Sequence, residues 1–383
     1  MAELYSLPDG WEWKKLENIS KKIFAGGDKP DKVSEFKTDE LNIPIYANAV
    51  KNNGLYGYSN IYKVDEECIT ISARGTIGFT VVRNEKFFPI VRLIVLIPNE
   101  QVLSKILKYY LDYELVENTG SSIPQLTVPT VKELFFPLPP LEEQKRIVAK
   151  LDILFEKIDK AIDLHQKNID EADIFMASVL NDVFVELEEK HPAKSLNEVS
   201  FNIQYGYTDS AKDKGNAVFI RITDINENGK FKDNFVYINI DDKELNKFKL
   251  FKGDILVARS GATAGKVALF DLDLISVFAS YLIRIQPNKE IDSSFLFYFC
   301  HSPKYWEQLN SIKVGGAQPN VNATNLKEIK IAIPPLKTQQ KVVSYLDEIS
   351  NKMENIKQIQ KAKMQSLKEL KASILDKAFK GEL

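Results

Sequence analysis

Two stretches of the chain carry apolar residues at near-heptad spacing over many turns. In residues 141–189 the seam runs Ile147, Leu151, Leu154, Ile158, Ala161, His165, Ala172, Met176, Val179 and Val183. In residues 336–380 it runs Val342, Leu346, Ile349, Met353, Ile356, Leu367, Leu370 and Ile374. Such spacing predicts two long helices that pair along those seams. Prolines stand just ahead of both, Glu142 and Glu143 fall in the first turn of the first, His191-Pro192 stops it, and Gly381 caps the second. His165 reads as a polar seam residue that fixes register.

Ahead of each helix the pattern changes to short alternating runs bounded by turn residues, which predicts mixed domains rich in strands. In residues 1–140 a turn at Pro8-Asp9-Gly10 leads to the aromatic anchor Trp11-Glu12-Trp13. Strands are expected at 41–46, on both sides of the glycine loop 74–78, at 91–97 and at 131–136. A tight turn is expected at Lys51-Asn52-Asn53-Gly54, a short helix at 102–111 and a loop at 119–129. In residues 191–335 strands are expected at 218–222, 254–258, 266–270 and 281–285, a helix at 295–299 and a loop at 315–320.

These two halves are copies of one unit. Pro139-Pro140-Leu141-Glu142-Glu143-Gln144 returns 195 positions later as Pro334-Pro335-Leu336-Lys337-Thr338-Gln339. The same offset joins Gly120 to Gly315, Pro124 to Pro319, Lys132-Glu133 to Lys327-Glu328 and Leu151-Asp152 to Leu346-Asp347. Upstream it falls to 189 (Leu93-Ile94 with Leu282-Ile283, Tyr109 with Tyr298), then to 185 at Ala73-Arg74 and Ala258-Arg259, and to about 180 at Leu16 and Leu196. A collinear series with loop insertions is the mark of internal duplication. The expected organisation is a first domain over 1–140, a helix over 141–190, a second domain over 191–335 and a helix over 336–383. The fold class is α+β: two similar mixed domains, two long helices forming an antiparallel coiled coil, and pseudo-two-fold symmetry. A short link between the first helix and the second domain forces the second helix to run back along the first. At roughly 1.5 Å per residue the helices make a strut of roughly 65–70 Å.

Composition narrows the function. With 383 residues and 44% hydrophobic content, the chain can bury two cores. Its formal net charge is −2, but the first long helix has seven basic against thirteen acidic residues and the second ten against six. Opposite charge favours pairing of the two helices with each other. Cys68 and Cys300 stand far apart and the three histidines are scattered, so neither a disulfide framework nor a zinc spacing is present. The acidic Met1-Ala2-Glu3-Leu4 start lacks an export signal, and the apolar run 87–98 is too short to span a bilayer; a cytoplasmic location is expected.

Catalytic signatures fail on inspection. Gly261-Ala262-Thr263-Ala264-Gly265-Lys266-Val267 resembles a phosphate loop, but it has one residue too few between its glycines, Val where Ser or Thr would hold magnesium, and a strand pattern after it. Pro30-Asp31 with Glu35-Phe36-Lys37 has the letters of a nuclease metal site without the hairpin that would bring the carboxylates together. No catalytic or metal-binding residue is assigned.

Two similar, non-identical domains on a rigid bar suit a ligand with two separated half-sites, and DNA presents such sites about 34–36 Å apart per turn on one face. The residues suited to contact it lie in loops. In the first domain these are Lys51, Asn52, Asn53, Tyr56, Tyr58, Arg74, Thr76 and Gln125; in the second, Tyr205, Tyr207, Thr208, Arg221, Arg259, Ser260, Thr263, Lys266, Gln318, Asn320 and Asn322. Arginine is bidentate to guanine and Asn or Gln to adenine, while Lys and Arg on phosphates carry no sequence information. The alternative is a non-catalytic two-headed scaffold or interaction protein.

The opening Leu7-Pro8-Asp9-Gly10-Trp11-Glu12-Trp13, the doubled Pro-Pro-Leu-x-x-Gln with its long helix, and the loops 74–78 and 259–265 resemble the specificity (S) subunit of type I restriction–modification systems over nearly the whole chain. The resemblance implies two target-recognition domains, each reading one half of an asymmetric split DNA site. It also implies an antiparallel coiled coil that sets the spacer and docks two adenine-N6 methyltransferase (M) subunits, with restriction (R) subunits as further partners. S-adenosylmethionine, ATP and magnesium would belong to those partners. The near-neutral charge then implies that partners supply much of the phosphate contact.

Overall fold

The structure is a computed structural model that describes residues 5–117, 125–226, 229–261, 264–312 and 320–383. It divides into two compact units, one of Met1–His165 with Lys361–Leu383 and one of Gln166–Gln360. Each unit contains one mixed domain, the near end of one long helix and the far end of the other.

In unit 1 the strands are β1 (Glu12–Lys15), β2 (Ser20–Ala25), β3 (Ile43–Tyr46), β4 (Leu55–Ser59), β5 (Cys68–Ile71), β6 (Thr80–Arg83), β7 (Phe88–Pro89) and β8 (Ile94–Pro98). Helices α1 (Ser104–Glu117) and α2 (Val128–Glu133), strand β9 (Phe135–Leu138) and helix α3 (Leu141–Lys190) follow. The strands form an antiparallel sheet in the order β2-β8-β5-β6, a smaller sheet β4-β3-β7 and the pair β1-β9. The larger sheet carries Ile69, Ile71, Ile94 and Leu96 on the face that meets α1 and α3, and the cluster closes on Phe136 and Phe379.

Unit 2 repeats the plan. Its strands are β10 (Ala193–Ser195), β11 (Ser200–Tyr205), β12 (Ala217–Ile220), β13 (Tyr237–Ile238), β14 (Ile255–Ala258), β15 (Val267–Leu269), β16 (Ser276–Phe278), β17 (Leu282–Pro287) and β18 (Lys330–Ala332). Helix α4 (Asp242–Phe248) precedes β14; α5 (Ser293–His301), α6 (Pro303–Ile312) and α7 (Ala323–Lys327) precede β18, and α8 (Leu336–Phe379) closes the chain. Sheet orders β11-β17-β14-β15, β13-β12-β16 and β10-β18 match those of unit 1 strand for strand. Even the irregularities recur: β2 slips against β8 between Ser20 and Lys22, and β11 against β17 between Ser200 and Asn202. In both copies a glycine follows that strand. A Cβ on Gly26 would lie 2.6 Å from the Pro89 carbonyl, and one on Gly206 2.2 Å from that of Ala279. Glycine is what lets the end of β2 or β11 meet the smaller sheet.

The long helices pair antiparallel, which is visible inside each unit. In unit 1 the early residues Ile147, Leu151, Phe155 and Ile158 cluster with the late Leu367, Ile374, Leu375 and Phe379. In unit 2 the late Leu180, Phe184 and Leu187 of α3 meet the early Val342, Val343 and Leu346 of α8. The charge asymmetry becomes cross-helix ion pairs: Lys371 to Asp159 at 2.7 Å in unit 1 and Lys357 to Asp173 in unit 2. Exposed pairs of this kind are worth about 0–1 kcal/mol, so they set partner choice more than stability. After α8, Gly381 at φ 75° lets its N–H reach Ala378 O and the Glu382 N–H reach Lys377 O, as a helix cap requires.

Four sequence expectations need correction. The seam is not a strict heptad. Ile356 and Leu370 are 38% and 47% exposed, while Phe155, Leu180, Phe184 and Leu187, outside the expected seam, are buried because these parts of the helix also pack on the domains. The expected strand 131–136 begins as α2: Thr127 caps it by accepting the Thr130 N–H, Pro129 fits its first turn, and only β9 is extended. The expected strand 91–97 starts at Ile94, since Val91 and Arg92 take φ of 53° and 61°. The helix expected at 295–299 extends over Ser293–His301, because Asp292 caps it by accepting from Ser294 and Phe295. Among the described residues no helix is long and apolar enough to cross a membrane.

Candidate nucleic-acid interface

The two glycine loops join an inner strand of each larger sheet to its edge strand, β5 to β6 and β14 to β15. In unit 1 the loop is closed by Ser72 N–H to Phe79 O at 2.9 Å and Gly78 N–H to Ser72 O at 3.0 Å. Gly75 and Gly78 take φ of 71° and 84°, values that favour glycine. Arg74 is exposed at the tip, and its guanidinium donates to Gln125 Oε1 at 3.0 Å. The Leu126 N–H donates to Ala73 O, so the segment that carries Gln125 is tied to the loop base. Thr76 is exposed beside them, its hydroxyl 3.2 Å from that of Ser72.

In unit 2 the strand register corrects the expected match of Ala73-Arg74 with Ala258-Arg259 by one residue: Arg259 stands where Ala73 does, its O accepting from Val321 as Ala73 O accepts from Leu126, so Ser260 takes the place of Arg74. Arg259 is half-buried, and its guanidinium lies 4.7 Å from the centre of the Tyr205 ring. The Tyr205 hydroxyl accepts the Ala323 N–H at 2.9 Å, which fixes that ring. Val321 N–H donates to Arg259 O, and Ser260 bridges to Asn320. Asn322 caps α7 by accepting the Asn325 N–H. The structure thus gathers Arg74, Thr76 and Gln125 in one unit, and Tyr205, Arg259, Ser260, Asn320 and Asn322 in the other. Each is an arginine of the glycine loop beside a segment carrying amide side chains, Arg74 at the exposed tip and Arg259 at the base next to β14.

Other candidates lie elsewhere or are committed. Lys51, Asn52 and Asn53 form an exposed turn between β3 and β4, with both asparagines left-handed at φ 51° and 52°. Tyr56 is exposed and Tyr58 half-buried on β4. Tyr207 packs its ring on Phe248 at 5.3 Å, and Thr208 is exposed beyond it. Arg221 is bidentate to Asp224, at 3.1 and 2.9 Å. Lys266 is half-buried at the end of the second loop. Thr263 and Gln318, like the loop residues Gly120, Pro124, Gly315 and Pro319, lie outside the described residues.

Several supporting residues escaped sequence reasoning. Asn48 accepts the Ala73 N–H at 2.8 Å and donates to Val91 O at 2.6 Å, so it binds the base of the Arg74 loop to the Val91-Arg92 turn. That turn exposes Arg92 in a left-handed conformation, rare for a non-glycine residue and rarer still for the β-branched Val91 before it. Its signal in the sequence was a charge interrupting an apolar run. Arg83 is buried with its guanidinium 3.5 Å from the centre of the Tyr46 ring; it donates to Thr70 Oγ1 and to Asn53 O, anchoring the asparagine turn. Burial pushes its pKa down. In unit 2 Arg284 and Asp254 are both buried, 3.7 Å apart, and burial lifts the Asp254 carboxyl to about 6. No sequence spacing marked either arginine as internal.

A sequence profile described as a type I restriction modification DNA specificity domain matches residues 8–172 and again residues 192–363. The chain belongs to that family. The putative type I specificity subunit S.MpnORF89P of Mycoplasma pneumoniae is 36% identical over 166 residues, which are 42% of this chain and 50% of the relative. The chain therefore spans about half the length of that relative. The putative type I restriction enzyme specificity subunit S.HindORF215P of Haemophilus influenzae is 25% identical over 88% of this chain and 86% of its own. A chain solved in work on complex assembly and conformational transition of the type I R-M system superposes with a TM-score of 0.75 at 21% identity, over 99% of this chain and all of the other. The HsdS subunit of Thermoanaerobacter tengcongensis gives 0.50 at 21% identity, over 100% and 99%. At such identities the likeness establishes the α+β fold of this family member, with its two repeated domains and long helices.

Proposed function

We propose that this chain is the DNA-specificity subunit of a type I restriction–modification complex. The observation that carries this is the doubling: the family profile matches twice, and each match contains a glycine-loop arginine beside an amide-bearing segment. Each unit reads one half of a bipartite site. The two halves differ because Arg74 is held by Gln125, whereas Arg259 is held over Tyr205. Arginine suits guanine, and a neighbouring Gln or Asn suits adenine. The lengths of α3 and α8 set the unread spacer, and their outer faces receive two methyltransferase subunits; restriction subunits join the same assembly.

The chain performs no catalytic step of its own. S-adenosylmethionine, ATP and magnesium belong to the partners. The Gly261–Lys266 segment leads into strand β15, so no helix N-terminus stands behind it to hold a nucleotide phosphate. A formal charge of −2 fits weak DNA binding by the isolated chain, with phosphate contacts completed by partners. Co-expression with a methyltransferase partner followed by methylation mapping tests the proposal. A bipartite adenine motif is expected, and replacement of residues 1–140 by a relative's domain should change one half alone. Absence of methylation, or a change in both halves, would overturn it.

A further inference from the structure

The repeat allows the two units to be compared position by position, and one place differs in kind. In unit 1 the Tyr109 ring is covered edge-on by Phe155 at 5.4 Å, and Lys108 pairs with Asp112 beside it. The corresponding residues of unit 2 are Tyr298, Ser350, Phe297 and His301. The frames agree closely, since Tyr109 donates to Asp152 and Tyr298 to Asp347, both at 2.6 Å. But Ser350 supplies no ring. Where Phe155 fills its own unit and is only 7% exposed, unit 2 has an open cavity of about 440 Å³ between α3, α5 and α8. Among its walls are Met176, Phe297, Tyr298, His301, Ser350 and Glu354.

The chemistry of the walls is specific. The ion pair of unit 1 is replaced by two rings, Phe297 and His301, with centroids 4.3 Å apart. His301 Nδ1 lies 2.9 Å from Phe297 O. A carbonyl can only accept, so Nδ1 carries the proton and Nε2 is left as an acceptor. Burial pushes the pKa of this imidazole down, which keeps it neutral at pH 7. Glu354 adds a carboxylate, and Asp173 is already engaged by Lys357. Rings and thioethers attract a flat aromatic face, and the acceptors call for a donor at its edge.

We propose that the cavity between α3, α5 and α8 of unit 2 is a binding site for a small molecule with one planar aromatic ring system and an N–H or O–H donor on its edge, as in indole or a phenol. Phe155 is the internal template: at the same position of the sister unit the protein places an aromatic ring of its own. The site shares no residue with the Arg259 loop and is independent of DNA reading.

The test is titration of indole into the full chain, followed by protein NMR. Saturable binding is expected, with NOEs from indole to the ring protons of Phe297, Tyr298 and His301. Ser350→Phe, which restores the ring of unit 1, should weaken binding by about tenfold or more and raise the Tm. Cyclohexanol, of similar size but without a π face, should bind far more weakly. Absence of those NOEs in the wild type overturns the proposal whether or not the variant folds. So does indole affinity in Ser350→Phe within about twofold of the wild type, or cyclohexanol binding as tight as that of indole.

Discussion

Gln144 and Gln339 make the same three hydrogen bonds in the two copies. Each is fully buried in the first turn of its long helix. Gln144 Oε1 accepts the Leu103 N–H at 2.9 Å, and its Nε2 donates to Gln101 O and Pro139 O at 2.8 and 2.9 Å. Gln339 Oε1 accepts the Asp292 N–H at 2.7 Å, and its Nε2 donates to Glu290 O and Pro334 O, both at 2.9 Å. One amide thus satisfies three backbone groups where the domain meets the helix, locking the angle at which the helix leaves. This is why glutamine, with a donor and an acceptor on one flat group, stands at the end of both Pro-Pro-Leu-x-x-Gln motifs.

Removing that amide leaves two carbonyls and one N–H buried and unpaired. Gln144→Ala should destabilise unit 1 by about 2–4 kcal/mol, beyond the cost of a lost surface contact. Urea denaturation of wild type and variant measures it. A change below about 0.5 kcal/mol would show that the amide is not needed there.

The half-sites should be separable by single substitutions. In the methyltransferase complex Arg74→Ala should relax or abolish selectivity in one half of the methylated motif, and Arg259→Ala in the other, each by about 1–3 kcal/mol at a guanine position. Methylation mapping of the two strains decides it. Identical motif changes from both substitutions would mean that the loops are not independent readers.

Arg259 depends on the ring beneath it. Tyr205→Phe keeps that ring and loses the hydroxyl that accepts from Ala323, whereas Tyr205→Leu loses both. The cation–π contact is worth about 0.5–2 kcal/mol, so selectivity in that half-site should fall in the order wild type, Phe, Leu. Equal methylation rates for Phe and Leu would assign the effect to the hydroxyl alone.

Asp254 ties unit 2 to pH. Burial raises its carboxyl from the usual carboxylate range to about 6, ahead of the lowering effects of the Phe251 N–H and Arg284. Between about pH 4 and 6 the folded state holds a proton that the unfolded chain releases. The contribution of this group is therefore fully present below its unfolded pKa and is lost as pH rises through about 6. Subtracting the Tm of Asp254→Asn from that of wild type should give a difference that falls over this window. A difference that is flat, or that rises with pH, would contradict the assignment.

The spacer should follow helix length. Deleting about one turn near Gln166 together with one near Gln360 keeps the seams facing while shortening both helices. The number of unread bases in the methylated motif should fall. An unchanged spacer would separate helix length from site geometry.

The duplication, the two long helices, their opposite charge and the two glycine loops were all legible in the sequence. Those features rest on periodicity and local turn chemistry, which a linear reading captures. The limits of the seam at Ile356 and Leu370, the short helix α2 in place of a strand, and the left-handed Val91-Arg92 turn depend on what packs nearby. The smaller sheets, with parallel pairs β3–β7 and β12–β16, join segments far apart in the chain, and nothing in either segment names its partner. Only folding could show that the candidate Arg221 is spent on Asp224, or that Asn48 binds the base of the Arg74 loop to Val91. The same holds for Phe155 and Ser350. The sequence shows a substitution between two copies, but only packing against Tyr109 and Tyr298 shows that one copy is filled and the other open. Burial and long-range pairing are properties of the assembled chain, because they depend on which distant surfaces exclude water from one another.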